Sequence, residues 1–173
     1  EEHLKPAAEL LDAYLGNNAK SPQAPDALIK IGHCYQRLAA PIAVPAERNK
    51  VLANARAAYE RLIKEFPQDP LMPQAVFERA KVIALSYNQP PERPGAVNAA
   101  INELRRFTTD PLRNTSIAPM AVLRLSLLLR EVNNPAEAVK VLTECRQQHE
   151  GSLQKDPARA AWVLLLQYHQ GVA

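Results

Sequence analysis

Apolar positions recur at helical spacing along nearly the whole chain. Between residues 52 and 66, Leu52, Ala55, Tyr59, Leu62, Ile63 and Phe66 share one helix face. Arg56, Glu60, Arg61, Lys64 and Glu65 take the other. The order of Glu60 and Lys64 predicts an i,i+4 ion pair worth about 0.3 kcal/mol. Prolines mark the starts of such runs: Pro6, Pro25, Pro73, Pro119, Pro135 and Pro157 stand just before or just inside them. Proline is tolerated there because a first-turn N–H has no intrahelical partner to lose. Reading from start to start predicts about eight helices, near 7–17, 24–39, 47–66, 73–87, 94–108, 117–132, 135–149 and 157–170. Asn134-Pro135-Ala136-Glu137 reads as an N-cap, a first-position proline and an early acidic residue.

Composition strengthens the helical reading. Alanine and leucine number 28 and 22 of 173 residues, glycine only 5, and aromatics are 5%. That usage favours helix and all but excludes a sheet fold. Hydrophobic residues at 47% and charged ones at 23% indicate a globular chain, long enough for one domain or a short run of repeats. Stretches such as Trp162–Leu166 fall far short of the roughly 20 apolar residues that cross a bilayer. The start at Glu1 carries neither an initiator Met nor a signal-peptide pattern, and reads as a processed or cut end.

Every second helix repeats a local signature. Pro25-Asp26-Ala27, Pro73-Gln74-Ala75, Pro119-Met120-Ala121 and Pro157-Ala158-Arg159-Ala160 recur at intervals of 48, 46 and 39 residues. Five residues after that alanine comes Gly32, Ala80 or Ser126 in the first three copies. The intervening helices carry Ala55/Tyr59/Leu62, Val97/Ile101/Leu104 and Ala138/Leu142/Cys145, and Ala7/Leu11/Tyr14 opens the chain at similar spacing. Four such helix pairs predict an all-α solenoid, here read as one array over residues 1–173.

These residues resemble the tetratricopeptide repeat family. The best copy is Leu28, Ile31, Gly32 and Tyr35, followed by Ala55, Tyr59, Leu62 and Pro67. Gly32 is expected to let two helices approach closely, and Pro67 to end the second one. The resemblance implies a right-handed helical-hairpin solenoid. Its period exceeds the family's usual length, chiefly in the Pro-rich turns Ala39–Arg48 and Tyr87–Pro94. That long form, with its Phe66-Pro67 helix end, is similar to bacterial cell-envelope repeats of the TolA-binding and outer-membrane assembly lipoprotein type, and favours periplasm or envelope over cytoplasm. The chain opens on a second helix and closes on a first. The end helix Ala160–Leu166 is apolar all round, so further repeats or another chain are expected to cover it.

No candidate chemistry emerges. His3, His33, His149 and His169 form no i,i+4 pair, and no phosphate loop, paired carboxylates or metal-ligand spacing is present. No catalytic residue, metal or cofactor is expected. Cys34 and Cys145 read as buried structural thiols. Formal charge is only +3, and the groups Arg48/Lys50/Arg56, Arg61/Lys64 and Arg105/Arg106/Arg113 lack interleaved aromatics. Nucleic acid is therefore the weaker alternative, beside a docking segment of a larger enzyme. The family's concave face, built from first helices, points to His33, Gln36 and Arg37, then Phe77 and Lys81, then Leu123, Leu127 and Arg130, and finally Gln167 and Gln170. Cations over an apolar floor would suit an extended or helical peptide with acidic and apolar side chains. The expectation is a non-catalytic scaffold for a protein or peptide partner.

Overall fold

The structure is a computed structural model that describes residues 3–86 and 91–173. Residues 87–90 of the expected second Pro-rich turn lie outside the described residues. The fold is all-α. Among the described residues there is no strand, and eight α-helices follow in order: α1 Leu4–Asn17, α2 Ala24–Ala39, α3 Pro45–Glu65, α4 Met72–Ser86, α5 Arg93–Arg105, α6 Ala118–Glu131, α7 Pro135–Gln154 and α8 Ala161–Gly171. The contacts divide the chain into two units, Glu1–Ala96 and Val97–Ala173.

In the first unit, successive helices pack as helical hairpins. α2 lies against both α1 and α3, and α4 packs on α3 and reaches α2. Leu52, Ala55, Tyr59 and Leu62 are buried, as the α3 pattern requires, against Leu28, Ile31 and Ala75. Gly32 makes the expected close approach. A Cβ there would overlap the Tyr59 ring and stand 2.7 Å from its hydroxyl. In α1 the buried face is Ala8 and Leu15, with Ala7 and Tyr14 exposed, so the helix is rotated by one residue from the expected Ala7/Leu11/Tyr14 register. On α3, Glu60 turns to Arg56 at 2.8 Å rather than to Lys64, and Arg61 pairs with Glu65 at 3.1 Å.

In the second unit, α6 packs on α7, and α8 lies against both. Asn134 caps α7 as expected: its side chain accepts from the Glu137 N–H at 3.2 Å and donates to the Glu137 carboxylate at 2.8 Å. Several boundaries differ from the sequence reading: α1 begins at Leu4 rather than residue 7, α7 runs on to Gln154 rather than ending at 149, and α5 and α8 are shorter than expected. α5 stops at Arg105, and the chain continues through short 3-10 turns at Arg106–Thr108 and Leu112–Asn114, which bury Phe107 and Leu112. There Thr108 Oγ1 donates to the Arg105 carbonyl at 2.8 Å, a local alternative to the helical ladder. α8 begins at Ala161 rather than residue 157. Asp156 takes the Ala158 N–H at 3.0 Å and the Arg159 Nε at 2.6 Å, and holds residues 157–160 in a turn. Cys34 and Cys145 are free thiols, the first half-buried and the second buried. Burial pushes the Cys145 thiol up to about 12, against a small opposing pull from Arg113.

Candidate partner-binding face

The aligned signature positions are core positions in both units. Ala27, Ala75 and Ala121 are buried, as are Gly32, Ala80 and Ser126 five residues later. The side chains between them then follow from helical spacing. On α2 that places His33, Gln36 and Arg37 away from the buried Leu28 and Ile31. On α4 it brings Glu78 within reach of both Gln36 and Lys81.

A carboxylate is the centre of this cluster. The Glu78 side chain is only 9% exposed. Lys81 Nζ donates to its two oxygens at 2.9 and 2.7 Å, and Gln36 Nε2 donates to Oε2 at 2.9 Å. The same Gln36 amide reaches the hydroxyl of Tyr59 at 2.8 Å, and His33 Nε2 lies 3.9 Å from Glu78 Oε1. Burial by itself would raise the Glu78 carboxyl; His33, Lys81 and Gln36 outweigh it and hold the group at about 2. The Tyr59 phenol is pushed far up, first by burial and then by the neighbouring Glu78 charge. Glu78 is therefore an ionised, partnered acid, the only kind that a core of this sort tolerates cheaply.

This geometry assigns the expected residues different parts. Phe77 is buried, and Lys81 lies over its ring at 5.3 Å from the centroid. Lys81 is thus held down on α4 by Glu78 and Phe77. Gln36 has both amide protons spent inside the unit, His33 remains half-exposed, and Arg37 is exposed on the last turn of α2. In the second unit, Leu123 is buried, Leu127 half-buried and Arg130 exposed. Gln170 accepts from Arg146 at 2.6 Å and donates to Thr143 at 2.8 Å, while Gln167 donates to Glu150 at 3.3 Å. Both glutamines fasten α8 to α7. Sequence reading missed Glu78 and the polar role of Tyr59. The available signal was the i,i+3 spacing of Glu78 and Lys81 beside a glycine-contacted tyrosine.

Among the described residues, no group of three or more His, Cys, Asp or Glu side chains could hold a metal ion, and no helix is long and apolar enough to cross a membrane.

The helix pair that supplies Gln36 and Tyr59 to this cluster has a recognised class. Residues 26–69, spanning nearly all of α2 and α3, match the tetratricopeptide repeat family model, about a quarter of the chain. The match supports a tetratricopeptide-type hairpin there. Repeats of this type generally mediate protein–protein contacts and are not themselves catalytic. No curated protein and no solved structure gives a significant match.

Proposed function

We propose that the chain is a non-catalytic scaffold that binds a protein or peptide partner on the faces presented by α2 and α4, and by α6 and α8. The observation that carries this reading is the repeat match over residues 26–69, joined to a preorganised polar cluster on the same hairpin and its neighbour. Lys81 is already neutralised by Glu78, so Arg37, flanked by His33, supplies the available cationic edge of the first unit; Arg130 does so in the second. An extended or helical segment with acidic and apolar side chains fits that edge best. We place both units in one repeat array, on the shared register of Gly32, Ala80 and Ser126. The long period and the Phe66-Pro67 helix end support a bacterial envelope protein of the TolA-binding or assembly-lipoprotein type. The exposed Leu164 and Tyr168 on α8, 68% and 64% accessible, support coverage of that end by further repeats or a second chain.

The test is affinity capture from nuclease-treated extract, with the wild type and the variant Arg37→Glu/Arg130→Glu as baits. Both arginines are exposed, so the variant keeps its core. Lys81→Glu would instead set a second acid against Glu78. Loss of one retained protein by the variant, confirmed with that protein purified, supports the reading; equal retention refutes it. Binding that needs nucleic acid and collapses with salt would favour the alternative.

A further inference from the structure

A separate surface lies on the opposite side of α2. α1 and α3 both pack on α2 and leave an open cleft of about 220 Å³ between them. Asp12 of α1, Leu28, Ile31 and Tyr35 of α2, and Ala57 and Arg61 of α3 line it. That volume is below the roughly 300 Å³ at which small-molecule pockets begin, and it suits a single long side chain. The floor is apolar, with Leu28 and Ile31 buried and the Ala57 methyl facing the opening.

The two charged walls are unequal. Arg61 Nε donates to both oxygens of Glu65, at 3.1 and 3.2 Å, so its charge has a counter-ion along α3. Asp12 is exposed and makes no hydrogen bond or ion pair among the described residues. The Tyr35 phenol is raised above its ordinary range, first by burial and then by the charges of Asp12 and Glu9. The potential at that wall is therefore negative, and an apolar trough ends at an unneutralised carboxylate.

We propose that this cleft docks one lysine or arginine side chain of a protein partner. The aliphatic stem lies on Leu28, Ile31 and Ala57, and the cationic head meets Asp12 beside the Tyr35 hydroxyl. Basic side chains bury their stems and keep their heads wet in this manner. At about 100° per residue, Leu28, Ile31 and Tyr35 stand about 120–180° around α2 from His33 and Arg37. The proposal therefore stands or falls independently of the α2–α4 face.

The experiment follows backbone amide shifts of the full chain while acetylated, amidated Ala-Arg-Ala is titrated in, with Ala-Lys-Ala, Ala-Glu-Ala and n-butylamine in parallel. Saturable shifts at Ile31, Tyr35 and Ala57 are expected with both basic peptides and none with the acidic one. Asp12→Asn should weaken binding about twofold to fivefold, the range of an exposed ion pair. Ala57→Phe should fill the floor and abolish the response with an unchanged circular dichroism spectrum, because Ala57 is at the surface. Arg37→Glu should leave the response intact. Scattered shifts, equal binding by Asp12→Asn and Ala57→Phe, or an equal response to the acidic peptide would overturn the proposal. A response to butylamine as strong as to the peptides would also overturn it, by making the site one for small free amines.

Discussion

The two units fill matching register positions with different side chains. In the first, the small position on the leading helix is Gly32 and the facing position is Tyr59; in the second, the matching register holds Ser126 and Leu142. All four residues are buried. A ring demands that the opposite helix give up even a Cβ, whereas Ser126 keeps a side chain, whose hydroxyl bonds back to the Leu123 carbonyl at 2.7 Å. In the first unit the fit therefore constrains a pair of volumes rather than either residue alone. The choice of tyrosine has a second effect, because its hydroxyl completes the Gln36–Glu78 network, and leucine offers no such group. In the second unit the polar contacts move outward, to Arg105–Glu137, at 2.9 Å, and to the Arg146–Gln170 pair that ties α7 to α8.

The largest expected effect comes from breaking the tyrosine arrangement. Tyr59→Ala should cost about 3–5 kcal/mol in urea unfolding, by analogy with other buried aromatic truncations. Gly32→Ala should cost about 1–3 kcal/mol, because the new methyl meets the Tyr59 ring. In the double variant Gly32→Ala/Tyr59→Leu, which imitates the second unit, the two costs should fall well short of additive. Additive costs in that cycle would mean that the volumes are not coupled.

Acid should discriminate between the units next. Glu78 is held near 2, below its ordinary 4.5, so its contribution is fully present above about pH 4.5 and is lost as pH falls towards 2. About 2–3 kcal/mol should disappear from the wild type over that window. Glu78→Gln should remove that part of the pH dependence. Urea midpoints of both proteins from pH 5 to pH 2 check this. A smaller effect is expected in the second unit: Asn134→Ala should cost about 1 kcal/mol through loss of the α7 cap. The smallest belongs to the exposed Arg56–Glu60 pair, where Arg56→Ala should change stability by less than about 0.5 kcal/mol.

Those expectations also explain which parts of the molecule the sequence made readable. Helix existence followed from local rules: a proline in the first turn, apolar residues at 3.6-residue spacing, and a glycine or small residue at a fixed offset. Each depends on neighbours within a turn or two, so α2, α3 and the start of α7 were anticipated closely. Where a side chain competed with the backbone the reading slipped. Asp156 delayed α8, and the threonines after Arg105 turned the end of α5 into 3-10 structure. The candidate site was legible in part. His33, Gln36, Phe77 and Lys81 do gather on adjoining elements, but their partner Glu78 lies 42 residues from Gln36, and its burial depends on three helices at once. Locally only the i,i+3 spacing to Lys81 marks that glutamate, and the solvent-facing Glu60 and Glu65 of α3 have basic neighbours at comparable spacing.

The knot at Glu78 bears on how the first unit comes apart. In a linear array each element leans only on its neighbours, so ends can fray one helix at a time. Gln36, Tyr59 and Glu78 sit on α2, α3 and α4, and their bonds are shared. Peeling α4 away would strip Gln36 of its bond to Glu78, leave it only the Tyr59 hydroxyl, and bring the buried Glu78 carboxylate into water without its α2 donor. Partial opening is thereby penalised relative to opening all three helices together. The first unit should accordingly lose its slowest-exchanging amides in α2, α3 and α4 in a single cooperative step, with α1 exchanging earlier.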